Sequence, residues 1–209
     1  MSVRGGGYFA KAVYDYLKQQ GFEVTAYALD PMEYPSWNRF QKEIIFCQES
    51  VEHVDTYLKN IKFDLIFCNK VFHHFVTNTY TGTLEMMQVC MRKLSKKLSK
   101  NGKLCILDIF YDGLLIDSWP SWMIYQCTTQ KNEILIKLFR MLGAQSAGSG
   151  VCFQSENMWN RLICQSHLSI DVLEKGPVFP MKRMKQAVFL SHRPIDDCIL
   201  ICSRLKKCK

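Results

Sequence analysis

Hydrophobic positions recur along the chain in two rhythms, a spacing of three to four residues and short unbroken runs, and the two take turns. The first rhythm predicts a helix from about Tyr8 to Gln20, with Phe9, Val13, Tyr16 and Leu17 on one buried stripe. Gly21 closes it. The run Glu23 to Leu29 is nearly all apolar or small, as in a parallel strand covered on both faces, and Asp30-Pro31 stops it. A polar and aromatic segment through Trp37 leads to a strand at Glu43 to Cys47, then Gln48-Glu49-Ser50, then a short helix near Val51 to Leu58. The strand Phe63 to Cys68 ends in Asn69-Lys70, ahead of Val71-Phe72-His73-His74-Phe75. A longer helix, roughly Thr83 to Leu98, turns Leu84, Met87, Met91, Leu94 and Leu98 inward and Arg92, Lys93, Lys96 and Lys97 outward. Asn101-Gly102 reads as its left-handed stop, and Lys103 to Phe110 as the next buried strand.

After Phe110 the alternation lapses. Residues 111–150 hold Tyr111, Trp119, Trp122 and Tyr125, a helix ending near Leu142 and a flexible run Ala144 to Gly150, so they read as an inserted cap rather than a second core. A helix at Glu156 to Gln165 and a strand at Leu168 to Leu173 resume the pattern; residues 177–194 fit a basic helix or a strand equally. Cys198 to Ser203 closes the fold ahead of a basic tail, Arg204 to Lys209. Strands alternating with helices predict a Rossmann-like α/β fold, a mostly parallel sheet with helices on both faces, in a single domain over residues 1–209. Its first strand is truncated, because only Met1 to Arg4 precede Gly5-Gly6-Gly7.

Composition changes this picture little. With 209 residues and 48% hydrophobic content the chain can bury a full core. The net charge of +8 permits acidic partners without demanding them, and the plainer reading is a solvated basic surface. Of the ten cysteines, Cys47, Cys68, Cys105 and Cys202 lie inside apolar runs and read as reduced core residues. No Cys-x-x-Cys pair occurs, so no metal site is expected. The N-terminus lacks a signal peptide's apolar core and no apolar run reaches the ~18 residues of a membrane span. The expected location is therefore cytoplasmic.

Candidate chemistry gathers at the start of the chain. Glycines ahead of a helix let backbone N–H groups approach a ligand, and the helix N-terminus favours electron-rich groups. An acid about 20 residues on, at the tip of the next strand, suits ribose hydroxyls, which describes half of a nucleotide-binding unit. Gly5-Gly6-Gly7-Tyr8-Phe9, Asp30 after a strand, Phe63-Asp64-Leu65-Ile66-Phe67-Cys68-Asn69 leading to His73-His74, and Leu98 to Ile109 together resemble class I S-adenosylmethionine-dependent methyltransferases over about residues 5–110. The closing strands fit that family's antiparallel C-terminal hairpin. The resemblance implies that the loop Gly5, Gly6, Gly7 lies against the methionine part of S-adenosyl-L-methionine, that Asp30 binds the ribose and that Glu49 and Ser50 border the adenine. Asn69 and Lys70 would edge the methyl-transfer side. The departure is at the N-terminus: the family's acid and first glycine fall at Met1 and Val3. Either a shortened chain or a relic with weakened cofactor binding would show this, and a gap or distorted pairing is expected in the middle of the sheet.

Methyl transfer from a sulfonium is an in-line displacement, so alignment and desolvation carry much of the barrier and a base is needed only for a protonated nucleophile. His73 and His74 are the candidate bases; the plainer alternative packs one under the following helix and leaves the other to solvate the loop. Asp108, inside a strand, could approach the substrate side or pair with a neighbour, and the structural role is the plainer reading. The cap's aromatic residues fit either stacking on a flat substrate or a small core of their own. Three functions are compatible with these residues. A methyltransferase acting on a small molecule is favoured by the cap. A nucleic-acid methyltransferase or RNA-binding module is suggested by the net charge of +8, Lys182-Arg183 with Lys185 and the tail, although no RNA motif is present. A nicotinamide-dependent enzyme would use Gly5-x-Gly7-x-x-Ala10, but the His-His stretch counts against it. A non-catalytic relic is compatible with each.

Overall fold

The helical and strand rhythms resolve into one layered sheet in a computed structural model that describes residues 1–3, 6–141, 146–178, 190–192 and 194–205. In chain order the elements are β1 (Ser2–Val3), α1 (Tyr8–Gln19), β2 (Ala26–Asp30), α2 (Trp37–Phe40), β3 (Ile44–Gln48), α3 (Val54–Tyr57), β4 (Phe63–Asn69), α4 (Tyr80–Lys97) and β5 (Leu98–Phe110). They continue as α5 (Trp119–Thr128), α6 (Glu133–Met141), α7 (Glu156–Gln165), β6 (Leu168–Glu174) and β7 (Ile195–Arg204). The seven strands run in the order β3-β2-β1-β4-β5-β7-β6. Neighbours among β1 to β5 are parallel, and β7 is antiparallel to both β5 and β6. The expected Rossmann-like sheet with an antiparallel C-terminal strand is therefore present. Most of residues 177–194 and the tail 206–209 fall outside the described residues.

The two-residue length of β1 has a specific consequence. Ser2 and Val3 pair with Ala28 and Leu29 of β2 on one side and with Phe67 and Cys68 of β4 on the other. Met1 extends the pairing, its amine donating to the Leu65 carbonyl at 2.7 Å and its carbonyl accepting from Phe67 N–H at 2.7 Å. The middle of the sheet is thus closed at its carboxyl end. Below Met1, between the starts of β2 and β4, lies a cavity of about 760 Å³ roofed by Phe9, Val13, Tyr14 and Leu17 of α1. The expected gap occupies only this lower half. Glu23 to Thr25, expected as strand, carry no strand pairing, since β2 begins only at Ala26, where its pairing with Ile44 of β3 starts.

Helix α4 follows its pattern closely. Met87, Met91, Leu94 and Leu98 are fully buried, together with Cys90. The helix begins at Tyr80 rather than Thr83 because the Thr79 hydroxyl accepts from Gly82 N–H at 3.0 Å and caps the first turn. Lys97 was expected to face out and is instead buried, its ammonium donating to the carbonyls of Leu58 at 2.7 Å and Lys59 at 3.1 Å. Burial holds its pKa below the usual lysine value. Nor do Asn101-Gly102 stop the helix. The chain enters β5 directly at Leu98, and Gly102 is required by close approach, since a Cβ there would lie 2.6 Å from the Phe63 carbonyl oxygen.

Helix α1 departs from its pattern. Among the described side chains only Ala10 is buried, while Phe9 is at the edge of exposure and Tyr16 is 62% exposed. The expected stripe of Phe9, Val13, Tyr16 and Leu17 is displaced because its lower half faces the cavity instead of a strand. The described cysteines are free, with Cys68 and Cys202 buried and Cys47 and Cys105 half-buried.

Candidate active site

The sheet grows outward from β1 in one direction through β2 and β3 and in the other through β4 and β5, so the strand order reverses at β1. In open α/β sheets the carboxyl ends of strands at such a reversal form a crevice for ligands. Most of the candidate residues lie on the loops that follow these strands.

Of the loop after β1, Gly6 and Gly7 are described. Gly7 caps α1 with φ +86°, and a Cβ there would lie 2.8 Å from the Phe46 ring. Ser36 donates to the Gly6 carbonyl at 2.7 Å, and a Cβ on Gly6 would meet that hydroxyl oxygen at 2.5 Å. Gly5 lies outside the described residues. At the tip of β2, Asp30 is 4% exposed and its Oδ1 accepts from Met32 N–H at 2.8 Å. The Asp30 carbonyl accepts from Glu49 N–H at 3.0 Å, which ties the tips of β2 and β3 together. The Glu49 carboxylate accepts from Ser50 N–H at 2.9 Å and meets His53 Nδ1 at 2.7 Å; His53 first, then the Ser50 amide, holds it below the usual carboxylate range. The Ser50 hydroxyl caps the turn Val51–His53 by accepting from Glu52 N–H at 3.3 Å. Gly6, Gly7, Asp30, Glu49 and Ser50 therefore follow three adjacent parallel strands.

Beyond β4 the chain turns sharply. Asn69 ends the strand, and Lys70 takes a left-handed φ of +51° with its N–H donating to the Leu107 carbonyl at 2.8 Å. The Lys70 ammonium lies 2.9 Å from Asp197 and 3.1 Å from Asp196, which raise its pKa and tie it to the start of β7. His73, in the turn Phe72–His74, is 7% exposed, and its Nδ1 lies 2.7 Å from Oδ1 of Asp108, itself 1% exposed. Its ring stacks on Phe153 at 4.6 Å and lies 4.1 Å from the ring of the exposed His74. The same Asp108 oxygen accepts from Ile109 N–H at 2.9 Å, while Oδ2 has no hydrogen-bond partner among the described residues.

The segment after α6 returns to this point. Cys152 N–H donates to the His73 carbonyl at 2.8 Å, and Tyr111 N–H to the Gln154 carbonyl at 3.1 Å. Tyr111 packs on Phe153 at 5.1 Å, and burial pushes its phenol up to about 12. From α5, the Tyr125 hydroxyl donates to the Thr77 carbonyl at 2.9 Å, and Tyr80 donates to the Ser121 hydroxyl at 3.1 Å. The sequence leaves Asp108 open between the substrate side and a neighbouring partner, and carries no signal for Phe153. A lone acid in the run Leu104 to Phe110 marks a buried charge in need of a partner, but nothing local names a histidine 35 positions upstream. Among the described residues no group of three or more His, Cys, Asp or Glu side chains is placed to hold a metal ion.

Residues 4–106 match the family described as Methyltransferase domain. The solved structures agree with that match. The YcgJ protein from Bacillus subtilis superposes with a TM-score of 0.56 at 13% identity, over 98% of this chain and 91% of that one. The 1,6-didemethyltoxoflavin-N1-methyltransferase of Burkholderia thailandensis, solved with 1,6-didemethyltoxoflavin and S-adenosylhomocysteine, gives 0.56 at 14% identity, over 98% and 71%. This chain has the class I methyltransferase fold. LepI in complex with SAM gives 0.56 at 11% identity over 97% of this chain, which spans only 42% of LepI. No curated protein sequence matches. In class I terms the glycine turn, Asp30 and Glu49-Ser50 occupy the first half of the methyltransferase sheet, and the His73 turn opens the second. No helix among the described residues is long and apolar enough to cross a membrane.

Proposed function

We propose that this methyltransferase domain binds S-adenosyl-L-methionine at the carboxyl ends of β1 to β4 and transfers its methyl group to a small-molecule acceptor. The observation that carries this reading is the convergence of a glycine turn, a buried acid and a carboxylate-hydroxyl pair on three adjacent strand tips at the point where the strand order reverses. The donor set suits the cofactor: a carboxylate at the tip of β2 for ribose hydroxyls, backbone N–H groups of the glycine turn for the methionine end, and the Glu49-Ser50 edge for adenine. When bound, S-adenosyl-L-methionine supplies a methyl group on a sulfonium. Asn69 and Lys70 then border the transfer side, with Lys70 held in place by Asp196 and Asp197.

His73 is the base of this reading. Its Nδ1 faces Asp108, so a proton on Nδ1 is held by the carboxylate and the lone pair is left on Nε2. Nε2 takes the proton from an acceptor hydroxyl or amine as the methyl group arrives. Asp108 acts through His73 as a positioning residue, and the Phe153 face fixes the ring plane. His74 packs against His73 and orders the turn. Residues 111–150 act as a cap on the single domain, with α5 docked through Tyr125 on the loop between β4 and α4 and through Ser121 on Tyr80 of α4. The small ligand bound by the Burkholderia thailandensis enzyme supports a small acceptor.

Calorimetry with S-adenosylmethionine, S-adenosylhomocysteine and NAD, each titrated separately, tests the reading. The two adenosyl compounds bind and NAD does not. Asp30→Ala weakens S-adenosylhomocysteine binding by about 1.5 to 3 kcal/mol, the range for hydrogen bonds to a charged group. His73→Ala leaves that affinity nearly unchanged and lowers methyl transfer. Binding of NAD alone overturns the assignment.

A further inference from the structure

At the opposite edge of the sheet from the strand tips, where β5 begins and β7 ends, an open cleft of about 690 Å³ gathers basic side chains from four elements. Arg92 and Lys96 come from the last two turns of α4, Lys100 from the start of β5, His167 from the turn before β6 and Arg204 from the end of β7. Among the described residues no aspartate or glutamate lines it. Lys11, Lys70, Lys103 and Lys175 each meet a carboxylate. Among the described residues Arg92, Lys96, Lys100 and Arg204 meet none; isolated surface lysines such as Lys18 and Lys42 share that, and what sets the cleft apart is that four such cations line one cavity. Both guanidinium groups are anchored by carbonyls, Arg92 Nε to Gln165 at 3.2 Å and Arg204 Nη2 to Ser99 at 2.6 Å. Each has five N–H donors, so anchoring one orients the rest without consuming them. Leu205 N–H donates to the His167 carbonyl at 3.1 Å and holds the end of β7 against the turn.

The negative end of the α4 dipole accounts for Lys96 in its last turn, but it does not account for Arg204 or for Lys100 beside it. Like charges brought together from separate elements repel, and a multiply charged anion removes that repulsion. The fork of an arginine beside the point charge of a lysine matches phosphate oxygens, and the cleft has the size range of a ligand site. We infer that this cleft binds a ligand carrying clustered phosphates, at a site separate from the methyl-transfer crevice. Two sources share that chemistry, a nucleic-acid backbone and a free oligophosphate.

The test titrates the full chain at low salt with tripolyphosphate and, separately, with an oligouridylate. Lys96→Ala combined with Lys100→Ala is compared with Lys18→Ala combined with Lys42→Ala, which removes the same charge from exposed positions elsewhere. All four lysines are exposed, so both variants melt like the parent chain. The cleft pair weakens binding by roughly tenfold and the control pair hardly at all. If the oligouridylate binds more tightly and tripolyphosphate displaces it, the source is a nucleic-acid backbone. The cleft pair then lowers the log-log salt slope by roughly 1.4, two contacts at about 0.7 each. If tripolyphosphate binds at least as tightly, the source is a free oligophosphate. Absence of binding by either probe, or equal weakening by the two variants, overturns the inference.

Discussion

The two faces of the sheet were asked for the same thing by the sequence and supply it unequally. On one face Leu29, Ile66, Leu104, Ile106, Leu200 and Cys202 are covered by α3, α4 and α7 and are almost completely buried. On the other, Ala28 and Ile44 form a small buried cluster with Ala10, the one buried residue of α1, but Phe67, Cys105, Leu107, Ile199 and Ile201 are only half-buried. Both α1 and α4 are amphipathic, so amphipathicity alone does not explain the difference. An apolar stripe states what a helix can bury; the strands beneath decide what it does bury. Below α4 the sheet is continuous through β4 and β5, whereas below the lower half of α1 the seam between β2 and β4 is open.

The largest test of this contrast is a pair of truncations. Leu94→Ala on the covered face removes a fully buried side chain and costs about 3 to 5 kcal/mol, while Leu17→Ala over the cavity costs roughly 1 kcal/mol, both read from denaturant melts. Equal losses would mean that α1 is as well packed as α4.

Next in size is repair of the seam. Adding about four apolar residues ahead of Met1, in register to pair with Glu23 to Ala26 and Phe63 to Leu65, gives the open strand edges partners worth about 2 to 4 kcal/mol. The melting temperature rises by roughly 5 to 15 °C. The pH profile changes with it. In the chain that starts at Met1, burial lowers the N-terminal amine from 8.0 to about 5. Between those values the unfolded chain binds the proton that the folded chain has released, so stability increases from pH 5 to pH 8. The extended chain has no amine at that position and loses this slope, which melts across the range would record; a slope that survives would place the titrating group elsewhere.

The smallest expected effect is Tyr16→Ser. With the ring 62% exposed, the change in stability stays within about 0.5 kcal/mol, and a larger loss would show that the stripe is in use after all.

Most of the strands were legible because a parallel strand buried on both faces is a short apolar run with a polar stop, and Phe63 to Cys68 followed by Asn69 shows it plainly. Helix α4 was legible through Met87, Met91 and Leu94. Its ends were not, because Thr79 acts through a single hydrogen bond and Gly102 through contact with Phe63, a residue distant in sequence. Among the candidate residues, the glycines and Asp30 came from local spacing, whereas Glu49 and Ser50 became candidates only through the family resemblance.

What the amino-acid sequence determined by itself is the set of elements and the tips at which polar residues collect, because both follow from backbone periodicity and the residues that interrupt it. Pairing across the chain was decided only in three dimensions. The partnership of His73 with Asp108 and Phe153 depends on β5 lying beside β4 and on the return of residues 151–154. The inward turn of Lys97 depends on the carbonyls that end α3. The thin burial of α1 depends on how little of the seam between β2 and β4 the two-residue β1 fills. Each is a contact between segments distant in sequence, and solvation and hydrogen bonding at such contacts are set by the neighbours the fold supplies.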